Sequence, residues 1–298
     1  MSANTHRSAN GLLLPRPFLK WVGGKRQLLP ELLARIQRAG DFGRYHEPFV
    51  GGGALFFELY RLGKLRRQAY LSDYNPRLIE TYEGVRDHVD EVIRLLKRHK
   101  KRHSEEHFYK VRALGDSAKL ARMNIPQCAA RTIYLNKTCY NGLYRENSKG
   151  EFNTPFGRYK NPQICDEENL RAVSKALKKT KIEHRHFEEV VKQAKPGDLV
   201  YFDPPYHPVS ATASFAAYTP QPDKIERGDF GEDSQRLLAS VYERLHEKDV
   251  KVVLSNSMTD LIRDLYSAYT VDEVSAMRSV NSRADRRGKV SEALVRNF

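Results

Sequence analysis

At 298 residues the chain is long enough for one large domain, or one domain carrying an inserted module, with a core that needs no disulfides. Hydrophobic residues make up 40% and charged residues 30%, the balance of a soluble globular protein, and no apolar run approaches the roughly 20 residues of a membrane helix. The formal net charge of +14 points to a polyanionic partner, nucleic acid first; a membrane surface is disfavoured because no basic amphipathic helix with an aromatic face stands out.

The three cysteines, Cys128, Cys139 and Cys165, are odd in number and lack metal-ligand spacing. They are expected to stay reduced in a cytoplasm, with no metal site. From Met1 to Pro17 the chain reads as an arm whose apolar patch, Leu12 to Leu14, is too short for a signal-peptide core. Phe18-Leu19-Lys20-Trp21-Val22-Gly23-Gly24-Lys25-Arg26 follows, and then Leu28, Leu29, Leu32, Leu33 and Ile36 at helical spacing. A glycine pair just before a helix lets a ligand approach backbone N–H groups at its positive end. Trp21, the only tryptophan, either covers a ligand there or packs in the core.

Tyr45 to Phe49, Val50-Gly51-Gly52-Gly53, then Ala54 to Leu59 read as strand, glycine loop and helix, the first turn of a nucleotide-type fold. The loop is not Gly-x-Gly-x-x-Gly and no Lys-Ser/Thr follows, so pyrophosphate binding is poorly supported. A second strand, Gln68 to Ser72, ends at Asp73, which lies 20 residues beyond Gly53. That is the separation at which an acidic residue meets a ribose hydroxyl in this architecture. A helix N-cap is the other role open to Asp73, because Asn75-Pro76 starts another helical stretch.

From about Gly84 charged helical stretches take over: Val89 to Leu96, a basic run from Lys97 to His103 that reads as a solvated face, and Phe108 to Arg112. Cys128 to Leu135 predicts a buried helix. The stretch from Asn136 to Lys160 then interleaves tyrosine and phenylalanine rings with Asn, Lys, Arg and Gly, with Ser148-Lys149-Gly150 as a hairpin tip. Such a loop suits a DNA groove, where Arg reads guanine, Asn reads adenine and a ring can wedge into the stack.

After Asp166 the α/β pattern returns, with helices through Leu170 and Leu177 and from Phe187 to Gln193, and a strand at Lys181 to Arg185. Asp198 to Phe202 predicts a buried strand ending in Asp203-Pro204-Pro205-Tyr206. Prolines lack N–H donors, so this rim offers acceptors and a ring face, which suits an exocyclic amino group. Val209 to Tyr218 is a small-residue loop read as a flap. Glu232 to His246 predicts a helix, and Val250 to Leu254 a buried strand ending at Ser255-Asn256. A tail with Arg278, Arg283, Arg286, Arg287 and Lys289 around Gly288 precedes a last strand, Glu292 to Val295.

Taken in order, Phe18-Leu19-Lys20-Trp21-Val22-Gly23-Gly24-Lys25, Glu47-Pro48-Phe49-Val50-Gly51-Gly52-Gly53, Tyr140-Asn141-Gly142-Leu143-Tyr144-Arg145, Asn153 to Lys160 and Asp203-Pro204-Pro205-Tyr206 resemble the DNA adenine-N6 methyltransferases of the Dam and DpnII type, the D12 class. The likeness spans Phe18 to Phe298. It implies a Rossmann-like α/β sheet that uses S-adenosylmethionine, from residues 1–83 and 181–298, with residues 84–180 inserted as a helical and hairpin target-recognition domain.

The resemblance implies that Trp21, Lys25, Phe49, Gly51, Gly53, Asp73 and Asp203 bind the cofactor. It places Asp203, Pro204, Pro205 and Tyr206 in catalysis, and Lys20, Tyr140, Asn141, Leu143, Arg145, Pro155 and Arg158 on double-stranded DNA. The expected reaction is methyl transfer to a flipped adenine in duplex DNA, in GATC, by a cytoplasmic, DNA-associated monomer; a palindromic target would allow two copies per site. Cytosine-N4 methylation, a DNA-binding homologue without catalysis, and adenine-N6 methylation at another target site are the rival readings. Asp rather than Ser at the head of the tetrapeptide disfavours the first, and intact Asp73, Asp203 and Tyr206 disfavour the second. The glycine pattern and basic hairpin disfavour a Rossmann dehydrogenase.

Overall fold

A computed structural model of the chain describes residues 13–21, 23, 25–147, 149–208, 230–277 and 289–298. The loop from Val209 to Tyr218 and the basic stretch from Arg278 to Gly288 lie outside the described residues, as do Val22, Gly24 and Ser148.

After a short 3-10 turn, Lys25–Gln27, helix α1 (Leu29–Arg38) buries Leu32 and Ile36 and leaves Glu31 and Arg38 exposed, as its spacing predicts. Next come β1 (Tyr45–Glu47), α2 (Ala54–Arg61), β2 (Ala69–Asp73) and α3 (Pro76–Asp87). A helical array follows: α4 (Val89–Lys101), α5 (Glu105–Ala113), α6 (Ser117–Leu120) and α7 (Ile125–Thr138). The chain then returns through α8 (Glu167–Leu177), β3 (Thr180–His184), α9 (Val190–Gln193), β4 (Leu199–Phe202), α10 (Glu232–Glu247), β5 (Lys251–Ser257), α11 (Asp260–Leu265), β6 (Thr270–Met277) and β7 (Lys289–Arg296).

The strands form one seven-stranded sheet in the order β3-β2-β1-β4-β5-β7-β6. Pairing is parallel from β3 to β5, and β7 runs antiparallel to both neighbours. All four residues of β4 are buried, because helices cover both faces of a parallel sheet and alternation disappears. From β1 the chain steps to β2 and β3 on one side, then to β4 and β5 on the other. The crevice between β1 and β4 is therefore the topological switch point, where open α/β sheets bind ligands at their carboxyl ends. The Rossmann-like α/β expectation is met.

Asn75, not Asp73, caps α3: its side chain accepts from the N–H groups of Arg77 and Leu78, with Pro76 in the first turn. Asp73 is thereby left to the site. Asn124 and Gln127 close a capping box on α7, which is buried along most of its length. Helix α3 runs through position 84 and packs on α7, so Leu71, Tyr82, Tyr134 and Phe152 share one apolar core. The basic run from Lys97 to His103 is only partly a solvated face. Lys97, Arg98, Lys100, Lys101 and Arg102 are exposed, whereas His99 stacks on Tyr134 of α7 with ring centroids 4.8 Å apart. Burial, with help from His107, pushes His99 down to about 4.

Helices α6 and α11 and strand β6 escaped the sequence reading. Helix α11 is six residues long, too short for periodicity to register. Strand β6 is the sheet edge, and its Asp272-Glu273 pair reads as loop. The expected hairpin is also looser than a ladder. Two isolated antiparallel bridges, Cys139 to Phe156 and Glu146 to Phe152, hold it, and its first residues, Asn136 to Thr138, complete α7.

Candidate active site

The carboxyl ends of β1, β2 and β4 meet in one rim. After β1, Val50 N–H donates to the Ser72 carbonyl at 3.0 Å, drawing the glycine loop beside the end of β2. Gly51 N–H donates to Asp73 Oδ2 at 3.2 Å, and Asn75 N–H to Asp73 Oδ1 at 3.0 Å. Burial raises Asp73 to about 6 against the pull of these N–H groups, so a ligand hydroxyl donating to it would be well received. Gly51 has φ 45°, and a Cβ there would stand 2.8 Å from Trp21 Cδ1. The glycine is needed both for its backbone angle and for the tryptophan that lies against it. Gly53, with φ 65°, is similarly closed by the Tyr82 hydroxyl.

Asp203 follows β4 directly. Lys25 Nζ stands 2.8 Å from its Oδ1, and Ser255 Oγ donates to the same oxygen at 3.0 Å. Oδ2 accepts from no described residue. Burial raises Asp203 above its ordinary value, with Lys25 and Ser255 pulling it back. Lys25 also donates to the Gly23 carbonyl at 2.7 Å, and its ammonium lies 4.4 Å from the centre of the Tyr206 ring. Beneath, Glu47 at the end of β1 is buried and pushed up to about 8, although it accepts the Tyr45 hydroxyl at 2.8 Å.

The loop after Asp203 is pinned by residues that the sequence reading did not select. Gln235 of α10 donates to the Pro205 carbonyl at 3.1 Å and accepts from Asn256 Nδ2 at 2.9 Å. Asn256 Oδ1 accepts His207 N–H at 2.9 Å. Tyr206 donates its hydroxyl to Glu292 of β7 at 2.9 Å. Gln235 and Asn256 are fully buried, so this network fixes the backbone of the tetrapeptide. Strand adjacency alone would have pointed to Ser255 and Asn256, since β5 pairs with β4; Gln235 and Glu292 carry no local signal.

Phe49 belongs to the rim but packs on Phe187, Phe202 and Phe230, an apolar floor rather than a polar contact. Trp21, Lys25, Gly51, Gly53, Asp73, Asp203 and the tetrapeptide thus converge. The residues expected on DNA form a second group. Tyr140, Asn141, Arg145, Pro155 and Arg158 are exposed along one segment, and Leu143 is half-buried there. Tyr140 N–H donates to the Pro155 carbonyl at 2.9 Å, and Arg145 Nε to Asn153 Oδ1 at 2.6 Å. Asn141 and Arg158 take left-handed backbone angles, φ 55° and 50°. Exposed Lys20 joins this group: its ammonium lies 5.0 Å from the Tyr159 ring, and a Cβ on Gly142 would meet its chain at 2.4 Å.

The model of the D12 class N6 adenine-specific DNA methyltransferase family matches residues 21–280, which contain both groups apart from Lys20. The chain belongs to that family. Its relatives agree. It is 39% identical over 285 residues to the type II methyltransferase M1.LlaDCHI of Lactococcus lactis subsp. cremoris, covering 95% of each chain. It is 40% identical to the type II methyltransferase M.MjaIII of Methanocaldococcus jannaschii, covering 95% of this chain and 99% of that one. The DNA adenine methylase of Escherichia coli K12 is 33% identical, covering 94% of each. The chain is an adenine-N6 DNA methyltransferase. Among the described residues no helix is long and apolar enough to cross a membrane, and no group of three or more His, Cys, Asp or Glu could hold a metal ion.

Proposed function

We propose that the protein transfers the methyl group of S-adenosylmethionine to a flipped adenine in duplex DNA, at GATC, with residues 84–180 supplying most of the target recognition. The observation that carries this reading is the state of Asp203: half-buried at the switch point, with both of its partners among the described residues on Oδ1 and Oδ2 left over.

The residues around the glycine loop fit such a donor. Asp73 is a buried acceptor suited to ribose hydroxyls, and the positive-φ turn at Gly51 keeps the rim free of side-chain bulk under Trp21. When bound, S-adenosylmethionine supplies an electrophilic sulfonium methyl. The protein's part is positional. The adenine N6 lone pair is delocalised into the ring and lies inside the duplex, so the base leaves the stack at a cost of about a few kcal/mol. Asp203 Oδ2 and the Pro204 carbonyl accept the two N6 hydrogens and favour a pyramidal nitrogen. Tyr206, braced by Glu292, offers its ring face to the base. A new N–C bond forms at N6 as the sulfur–methyl bond breaks, and the methylated nitrogen then loses a proton. Rate comes from alignment and preorganised charge.

Recognition falls to the exposed Arg145 and Asn141 and their neighbours, with Lys20 reaching from the cofactor side. The enzyme acts as a cytoplasmic monomer on DNA. Expression in a host lacking adenine methylation, followed by cleavage of the plasmid with methylation-sensitive nucleases, tests the site. Protection at GATC is expected; protection elsewhere, or none, overturns the assignment. Arg145→Ala should relax sequence choice by about 1–3 kcal/mol while nonspecific binding changes less. Equal losses on all sequences would make Arg145 a phosphate contact.

A further inference from the structure

Trp21 touches both groups of site residues. One side of the indole lies against the Gly51 turn, where a Cβ would meet Cδ1 at 2.8 Å. Its ring also stacks on Tyr144, with centroids 5.0 Å apart and planes 26° from parallel. Tyr144 sits between Leu143 and Arg145 in the recognition segment and is 5% exposed. Its position there is fixed by an edge contact with Phe152 at 5.5 Å and by its hydroxyl donating to Glu146.

The backbones of the two regions are joined separately. Buried Asn136 accepts Lys20 N–H at 2.8 Å and donates to the carbonyls of Lys20 and Gly142, at 2.7 and 3.1 Å. This clamp ties the main chain beside Trp21 to the turn that begins the recognition segment. The ring stack is the side-chain link laid over it. It is the one of the two links that involves a residue lining the glycine loop.

We infer that Tyr144 is a positioning residue that couples the donor site to DNA recognition: a ligand that fixes Trp21 against the Gly51 turn also fixes Tyr144, and with it Leu143 and Arg145. The inference rests on the proposed placement of the donor beside Trp21. A ligand that orders a segment spares the second ligand that ordering cost, so the two bind cooperatively without a large structural change. By linkage the coupling is reciprocal: the duplex tightens the donor-site ligand by the factor by which that ligand tightens the duplex.

Because Trp21 is the only tryptophan, its fluorescence reports the stack directly. The test uses S-adenosylhomocysteine, which cannot donate a methyl group, and a duplex that the wild type methylates. Fluorescence titration gives the affinity for S-adenosylhomocysteine with and without duplex; anisotropy of labelled duplex gives the reverse. For the wild type both factors should agree and reach at least about fivefold. Tyr144→Leu keeps bulk but removes the ring, and both factors should fall to near one. Tyr144→Phe keeps the stack and should keep the coupling, which separates a lost link from a damaged fold. Wild-type coupling in Tyr144→Leu, loss of it in Tyr144→Phe, or purely additive binding in the wild type would overturn the inference. If S-adenosylhomocysteine changes neither Trp21 emission nor the heat of binding in the wild type, the donor placement fails, and the coupling with it.

Discussion

Strand β4 is flanked by an aspartate at each end, and the two are held in opposite ways. Asp198, at the amino end, accepts from the Arg44 backbone and guanidinium, from His46 Nε2 at 3.0 Å and from Lys195 N–H. Burial alone would raise it, but His46, Arg44 and the backbone donors outweigh burial and hold it well below the ordinary carboxylate range. Asp203, at the carboxyl end, has two partners on one oxygen, and burial wins. Same residue type, same strand, opposite outcome: Asp198 has donors on both oxygens and serves the scaffold, whereas Asp203 has an oxygen that no described residue claims and so can offer it to a ligand.

The largest expected effect comes from Asp203→Asn. Losing this acceptor should slow methyl transfer by about 10²–10⁴-fold, while duplex affinity and thermal stability stay near wild type. Single-turnover kinetics checks it. Asp198→Ala should show the reverse. It strands Arg44 and His46 at a nearly dry site and should cost about 3–5 kcal/mol of stability in denaturant titration, with the rate per folded molecule unchanged.

Acid separates the two ends further. Asp198 has a folded value below its unfolded one near 3.9, so its stabilisation is complete above that pH and is lost as pH falls through it toward the folded value. The wild type should therefore lose stability steeply in strong acid, and Asp198→Ala should flatten that slope. Asp203 lies above its ordinary value, so protonation should shut off methyl transfer at a pH where Asp198 is still fully charged. The smallest effect is expected from Ser255→Ala. It removes one hydrogen bond from Asp203 and one partner from the Tyr201 hydroxyl, for a rate loss of up to about fivefold, roughly 1 kcal/mol. The acid limb of its pH–rate profile should move upward.

The sequence made one end of β4 legible and concealed the other. Asp203 stands out because it follows a buried apolar run and heads a donor-poor turn, and Asp73 because a glycine loop lies 20 residues before it. Strands β4 and β5 were visible because their apolar runs are continuous, whereas β1 and β2 were placed by the glycine loop and by Asp73 at the strand end. Asp198 reads only as the polar start of a strand. Its partners Arg44 and His46 come from β1 and the residue before it, and only the sheet brings them near. The braces of the tetrapeptide were hidden likewise. Glu292 lies 86 residues from Tyr206, and β5 continues through Ser255-Asn256-Ser257, a polar triplet that looks like a loop until its pairing with β7 is seen. The stack of Trp21 on Tyr144 joins two motifs that each looked complete alone.

The central claim is that Asp203 presents an acceptor to adenine N6. It is tested most directly by incubating the wild type, Asp203→Asn and Asp198→Ala with duplex DNA and methyl-labelled S-adenosylmethionine, then digesting to nucleosides. Label in N6-methyladenine is predicted for the wild type and for folded Asp198→Ala, with at least a hundredfold less for Asp203→Asn, about 2.7 kcal/mol of lost transition-state stabilisation. Label in N4-methylcytosine, or Asp203→Asn methylating at the wild-type rate, would contradict it.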